Sequence, residues 1–401
     1  MIQQRVLAVL SASLALSACG AGLGKVAGTP ASAPGEVDPA QAEASRRNPF
    51  LGAGFFLDPE QVAKIEAAAQ AAPSDAMVIR KVKQYPIGLW LDSIAKVAVI
   101  PKWLNLAKKQ QQASGQPTLS VFVVYDMPNR DCASKSSGGE LKVSQDGATR
   151  YRTAFIDPIA AHFAAHPELP IVVILEPDSL ANLVTNLNLP TCQEARAVYV
   201  DSVVYAIQKL GLPNVSIYLD AAHAGWLGWD GHRETFAKLC KKVLKAAGGV
   251  DTIRGFATNV SNYTHLYNRD GAAMESSDPC YNELVYVKKL AVSLADHGIR
   301  NKGFIIDTAR NGKGQIRKVW GNWCNIKGAG LGERPRAAPG PFVDAYFWIK
   351  VPGESDVTSD PSQPRFDPDC ASAESATGAP QAGTWFQSYF LDLVRNATPP
   401  L

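Results

Sequence analysis

The chain has 401 residues, 46% of them apolar and 19% charged, with 40 Lys+Arg against 37 Asp+Glu. That length suits one large α/β barrel with extensions and exceeds one small domain. A net charge of +3 with no basic block excludes nucleic acid as an expected partner.

Residues 1–19 read as an export signal. Arg5 supplies a positive start, and the apolar run 6–16 is too short to span a bilayer. Leu16-Ser17-Ala18-Cys19 matches a lipobox and resembles bacterial lipoprotein signals. It implies cleavage before Cys19 and lipidation of that thiol; a plain secretory signal is the alternative. Both export the mature chain, and a lipid on Cys19 is the expected membrane attachment. Residues 20–47, rich in Ala, Gly and Pro, read as a flexible tether, leaving 48–401 as the folded body.

From residue 48, strand-like runs alternate with helical stretches. The runs are 87–91, 119–125, 171–175, 215–219, 253–258, 303–306 and 343–349. Helical patterns cover 151–166, 194–210, 236–247, 283–297 and 385–395. This alternation argues for α/β architecture, a parallel sheet with crossover helices. Seven strands with no GxGxxG or Walker motif favour a closed barrel over a doubly wound nucleotide-binding sheet. No second domain is expected.

The third run, Val172-Val173-Ile174-Leu175, reads as a strand buried on both faces. Pro177 cannot donate to a ladder and should end it, and Ser179 is expected to cap a helix from Leu180. Asp178 then sits at the carboxyl end of a buried strand, where such folds build their sites. The other runs also lead into polar groups: Asp92, then Tyr125 to Asp131, then Asp220, His223, Trp226 and Trp229. Asn259, Asn262, Asp307, Arg310, Lys350, Glu354 and Asp356 follow the later ones. A single acid is more often a cap or a surface charge; seven coincident run ends point to one mouth.

No GxSxG is present, and His223 has no Ser or Cys in a nucleophile setting, so the chemistry must rest on carboxylates. One protonated and one ionised carboxyl group across a bond are what glycoside hydrolysis needs. Asp178 is the expected acid, with Asp131 as the neighbour that raises its pKa. Eight Trp and twelve Tyr suit a sugar-binding cleft, although aromatics more often serve the core. Trp226, Trp229 and Trp323 are candidate faces for sugar rings.

Export also sets the reading of cysteine. Besides Cys19 there are six: Cys132, Cys192, Cys240, Cys280, Cys324 and Cys370. An even number in an oxidising compartment points to three disulfides, with Cys240 the best candidate for a buried free thiol instead. No CxxC and no clustered His appear, so neither a metal site nor a cofactor is expected.

The motifs Val-Val-Tyr-Asp-Met-Pro-Asn-Arg-Asp-Cys (123–132), Glu-Pro-Asp-Ser-Leu-Ala-Asn-Leu-Val-Thr-Asn (176–186) and Leu-Asp-Ala-Ala-His-Ala-Gly-Trp-Leu-Gly-Trp (219–229) carry a resemblance. Ala-Thr-Asn-Val-Ser-Asn-Tyr (257–263), Trp-Cys-Asn (323–325) and Trp-Ile-Lys-Val-Pro-Gly-Glu-Ser-Asp (348–356) extend it. From about residue 48 onward the chain resembles glycoside hydrolase family 6, the cellulases that include cellobiohydrolase II enzymes and related endoglucanases. The resemblance implies a distorted seven-stranded β/α barrel. It also implies metal-free hydrolysis of β-1,4-glucan with inversion, on cellulose or cello-oligosaccharide chains; a monomer is the separate expectation. By the same resemblance, Asp178 is the general acid, and Asp131 keeps it protonated and helps organise water. Asp356 is one candidate base; a water chain near Ser137 and Asp131 is the other. Tyr125 presses on the distorted sugar, with Arg130 beside it, and Lys350 and Glu354 hold that sugar. Trp90, His223, Trp226, Trp229, Asn262 and Trp323 line subsites. Cys132–Cys192 and Cys324–Cys370 match the family disulfides, leaving Cys240–Cys280 as the expected third bridge.

The long segment 324–370 resembles a tunnel-forming loop, which implies exo action from non-reducing ends with release of cellobiose. An open-cleft endoglucanase is the alternative. A non-catalytic glucan-binding lipoprotein is a third reading, opposed by the presence of Asp131, Asp178 and Asp356 together.

Overall fold

A computed structural model of the chain describes residues 47–267, 278–319 and 321–401. Cys19, the signal and nearly all of the tether lie outside the described residues. Among the described residues nine strands form: β1 (Gly54–Phe55), β2 (Leu89–Leu91), β3 (Thr118–Val124), β4 (Ile171–Leu175), β5 (Val215–Asp220), β6 (Gly255–Thr258), β7 (Gly303–Asp307), β8 (Arg336–Gly340) and β9 (Val343–Phe347). The parallel series β2-β3-β4-β5-β6-β7-β9 consists of the seven apolar runs of the sequence. Helices including Ile100–Ser114, Pro190–Leu210, Asp230–Ala247 and Glu283–Asp296 fill the crossovers.

Two strands were not expected. β1 has two residues and pairs with the start of β3, below the point where β2 pairs with the same strand. β8 (Arg-Ala-Ala-Pro-Gly) lies antiparallel on β9 with alternating exposed residues. One is too short for any periodicity; the other carries Pro339, which a ladder tolerates only at an edge.

The pleat sorts each central strand into two layers. Phe122, Val124, Val173, Leu175, Ile217 and Leu219 face the helices and join the largest apolar cluster. Val121, Val123, Val172, Ile174, Tyr218, Ala257, Ile305 and Phe347 fill the barrel interior. Phe50 plugs that interior, its ring 6.4 Å from Tyr218 and 6.1 Å from Phe347. Each such aliphatic side chain contributes roughly 1.5–3 kcal/mol on burial.

The barrel is distorted because no ladder joins β2 to β9. The gap closes through the Gly88 N–H, which donates to the Trp348 carbonyl at 2.9 Å, and the Trp90 indole N–H, which donates to the Ile349 carbonyl at 2.9 Å. Only glycine fits there, since a Cβ at Gly88 would lie 2.4 Å from the Ile349 oxygen.

Disulfides join Cys132 to Cys192 and Cys324 to Cys370. The third expected bridge is absent: Cys240 and Cys280 are both buried free thiols. Cys240 packs among helical side chains of the main core, and the Cys280 sulfur accepts from Arg233 Nη1 at 3.1 Å. Each thiol has its own surroundings, and burial pushes Cys280 up to about 12 and Cys240 higher still. An even count of cysteines therefore does not compel pairing.

Gly88→Ala should destabilise the fold by about 1–3 kcal/mol through overpacking at the closure. An unchanged urea midpoint would show that the close approach carries no weight.

Candidate active site

The chain leaves the strand ends through backbone conformations that side chains rarely adopt. Positive φ occurs at Asn129 (54°), Asp131 (47°), Glu176 (49°), Asp178 (62°), Ala222 (51°), Asn259 (60°) and Ser261 (57°). Such conformations cost energy and persist where the surroundings impose them. They follow β3, β4, β5 and β6, all at one end of the sheet.

Glu176 and Asp178 flank Pro177 in this left-handed region, so the chain turns sharply off β4. The expected Ser179 cap does not form. Ser179 is the first residue of the helix Ser179–Thr185, and its hydroxyl donates back to the Glu176 carbonyl at 2.7 Å. Asp178 takes the cap position without capping, and its side chain faces the mouth.

Glu176 is wholly buried and has a different task. Its carboxylate accepts from the Tyr151 hydroxyl at 2.8 Å and from the backbone N–H groups of Asp126 and Met127 at 3.4 and 3.3 Å. It ties the end of β3 to the end of β4. Burial raises it to about 7, and raises Asp126 behind it to about 8.

Asp178 Oδ2 accepts from the Tyr125 hydroxyl at 3.3 Å. Burial, then the charges of Asp131 and Asp220, push its pKa well above the carboxylate range. Burial also raises Asp131, against hydrogen bonds from Asn182 (3.0 Å to Oδ1) and the Ser137 hydroxyl. Asp220 accepts the N–H groups of Asp178 and Ala222, each at 3.1 Å, and burial lifts it to about 7. Arg130 organises this wall. Its Nε donates to the Ser137 carbonyl at 2.7 Å, and Nη1 donates to the Asp92 and Tyr125 carbonyls at 2.8 and 2.6 Å. Its guanidinium stacks 4.3 Å from the Tyr125 ring centre, and Trp90 meets that ring edge-on at 5.7 Å.

The facing wall has the opposite electrostatics. Arg310 Nη1 donates to both Asp356 oxygens at 2.8 and 2.7 Å, and Lys350 Nζ lies 3.3 Å away. The Asn325 N–H (2.8 Å) and the Tyr263 hydroxyl (3.2 Å) also donate to Oδ2. Burial alone would raise this carboxyl, but the two cations outweigh it and hold it below its ordinary value.

His223 Nε2 meets the Asn262 amide at 3.0 Å. Burial and the Arg317 charge push the imidazole down to about 3, so it is neutral, and accepting at Nε2 leaves its proton on Nδ1. The Trp226 indole donates to Thr185 Oγ1 at 2.7 Å, and that of Trp323 to Asp369 Oδ2 at 2.9 Å. The Glu354 carboxylate pairs with Lys64 at 3.2 Å.

These groups border a cavity of about 710 Å³. Asp178, Asp131, Asp356, Tyr125, Ser137, Trp90, Arg130, His223, Trp226, Asn262, Trp323, Lys350 and Glu354 all line it. Trp229 does not; it precedes the helix Asp230–Ala247, its ring 5.6 Å from His232. Asn182 and Asn325 were not assigned to the site from sequence, and Asp220 and Arg310 were placed at the strand ends without a role. Asn182 had a signal, since it lies four residues after Asp178 and so on the same helical face. Asn325 and Arg310 reach Asp356 through tertiary structure alone. One wall can thus hold a proton on a buried carboxyl group, and the other keeps a carboxylate ionised, across a cleft with aromatic sides.

Residues 50–397 match the family model described as glycosyl hydrolases family 6. Exoglucanase 3 of Agaricus bisporus is 41% identical over 357 residues, covering 88% of this chain and 80% of the relative. Exoglucanase 2 of Hypocrea jecorina is 38% identical over 356 residues, covering 88% and 75%. A family 6 enzyme from Coprinopsis cinerea superposes with a TM-score of 0.85 at 38% identity, over 88% of this chain and 99% of its own. Cellobiohydrolase II of Humicola insolens, solved with glucose and cellotetraose, gives 0.84 at 36%, over 88% and 100%. A match of this extent, on a barrel whose strand ends gather carboxyl groups of opposed protonation, makes the chain a glycoside hydrolase that belongs to family 6.

Proposed function

We propose that the protein hydrolyses β-1,4-glucosidic bonds of cellulose with inversion, acting from non-reducing chain ends and releasing cellobiose. The observation that carries the reading is the Asp178 carboxyl group, buried against Asp131 and Asp220 with one hydroxyl donor. Two like-charged acids sharing a dry site hold a proton between them. Asn182 and Ser137 donate to Asp131 and favour its charged form, so the proton resides on Asp178. Asp178 is then the general acid to the leaving oxygen.

The facing role falls to water. Asp356 already accepts from Arg310, Tyr263 and Asn325, with Lys350 close by, so it is a poor proton acceptor. We assign it to electrostatic support of the developing positive charge on the sugar. The attacking water passes its proton toward Asp131 through the Ser137 side. Tyr125 and Trp90 hold the ring at the point of cleavage, with Lys350 and Glu354 beside it. Trp226, Trp323, His223 and Asn262 form flanking subsites, and Trp229 can serve only beyond the cavity.

The exo-acting reading draws on the long segment closed by Cys324–Cys370 and on relatives named exoglucanases and cellobiohydrolases. Two disulfides fit an extracellular protein. A lipid on Cys19 would keep the enzyme at the cell envelope, with residues 20–47 as its tether.

Cellohexaose digestion followed by anomer-resolved chromatography should release cellobiose as the α-anomer; β-cellobiose as first product would refute inversion. Asp178→Asn should lower kcat by about 10³-fold while cellohexaose still binds, and calorimetric binding with normal turnover would remove Asp178 from the acid role. Asp131→Asn removes a charge that raises the Asp178 pKa. The protonated acid is then lost at lower pH, so the alkaline limb of kcat/KM should move down; an unmoved limb would count against the pairing.

A further inference from the structure

Two loops that border the cavity meet through residues 229 positions apart in sequence. One follows β3 and is tied at its base by Cys132–Cys192. The other lies inside the Cys324–Cys370 loop and carries Arg365. Arg365 is half-buried and borders the cavity. Its Nε and Nη2 both donate to the Ser136 carbonyl oxygen, at 2.9 and 2.6 Å. Among the described residues, these two bonds are the hydrogen-bonded link between segments 132–140 and 357–370.

We propose that Arg365 is a specificity-determining positioning residue that clasps the two roof loops, so that a glucan chain enters by its end and not from the side. The inference deepens the exo-acting reading and rests on it. Donation from a charged guanidinium makes the clasp stronger than a neutral pair of hydrogen bonds. A second arginine holds the next carbonyl: Arg130 Nε donates to Ser137 at 2.7 Å. The two guanidinium groups repel each other, with Asp92 offsetting part of that repulsion.

Arg365→Ala and Arg365→Lys in the full chain test this. One readout is amide hydrogen exchange over 133–139. The other is viscosity loss of carboxymethyl cellulose per reducing end released, with kcat/KM on cellohexaose as control. Arg365→Ala should speed exchange over 133–139 by about tenfold. It should raise viscosity loss per reducing end by about fivefold and leave cellohexaose kcat/KM within about threefold, since a short chain needs no roof to thread. Arg365→Lys, which keeps a charged donor without the fork, should recover part of both effects. Unchanged exchange, or faster exchange with an unchanged viscosity ratio, overturns the proposal while leaving the exo-acting reading in place. Steep thinning by the wild-type enzyme overturns that reading first, and the proposal with it, before any substitution is compared.

Discussion

Three carboxyl groups crowd the ends of β3, β4 and β5: Asp131, Asp178 and Asp220. Among the described residues no cation pairs with Asp178 directly, and a buried carboxylate left so would be costly. The inexpensive solution is to keep a proton, which is the state an acid catalyst must have. The surrounding structure then decides where that proton sits. Backbone N–H groups stabilise Asp220, side-chain donors stabilise Asp131, and Asp178 has only a phenol. The order of donors ranks the three acids.

That arrangement asks much of the backbone. Asp131, Glu176, Asp178 and Ala222 all adopt positive φ, and none is glycine. What imposes these conformations is the apolar barrel beneath, with β4 wholly buried and its interior face plugged by Phe50. Glu176 then transmits that rigidity, because its carboxylate bonds two N–H groups of the neighbouring loop. Glu176, two residues before Asp178, is the joint between two strand ends.

The legible parts of the chain were those fixed by local pattern. Seven runs of β-branched and apolar residues became seven parallel strands, because double burial leaves no room for polar interruption. Thirteen of the fourteen proposed catalytic and subsite residues border one cavity, since strand order alone brings successive loops together. Trp229 lies outside that cavity because a tryptophan three residues beyond Trp226 lands past the end of a short helix, Ala224–Leu227. Ser179 was misjudged because its hydroxyl found the Glu176 carbonyl, a bond available only once Glu176 turns left-handed. Cys240 and Cys280 had parity in their favour yet are both free, and composition cannot report geometry.

The two walls of the cavity differ in a way that bears on the reaction itself. Around Asp178, burial acts with like charges and pushes protonation up. Around Asp356, burial acts against Arg310 and Lys350, and the cations prevail. A sugar bound between them has a proton donor on one side and a fixed negative charge on the other, before any bond is broken. Such preorganised charge stabilises an oxocarbenium-like state without reorganising at the moment of reaction. In the proposed mechanism the site does not spend its ionised carboxylate as a base. Neutralising Asp356 would leave Arg310 buried beside a neutral partner, a cost the Asp131 side does not incur, because a proton there only redistributes among acids already poised to share one.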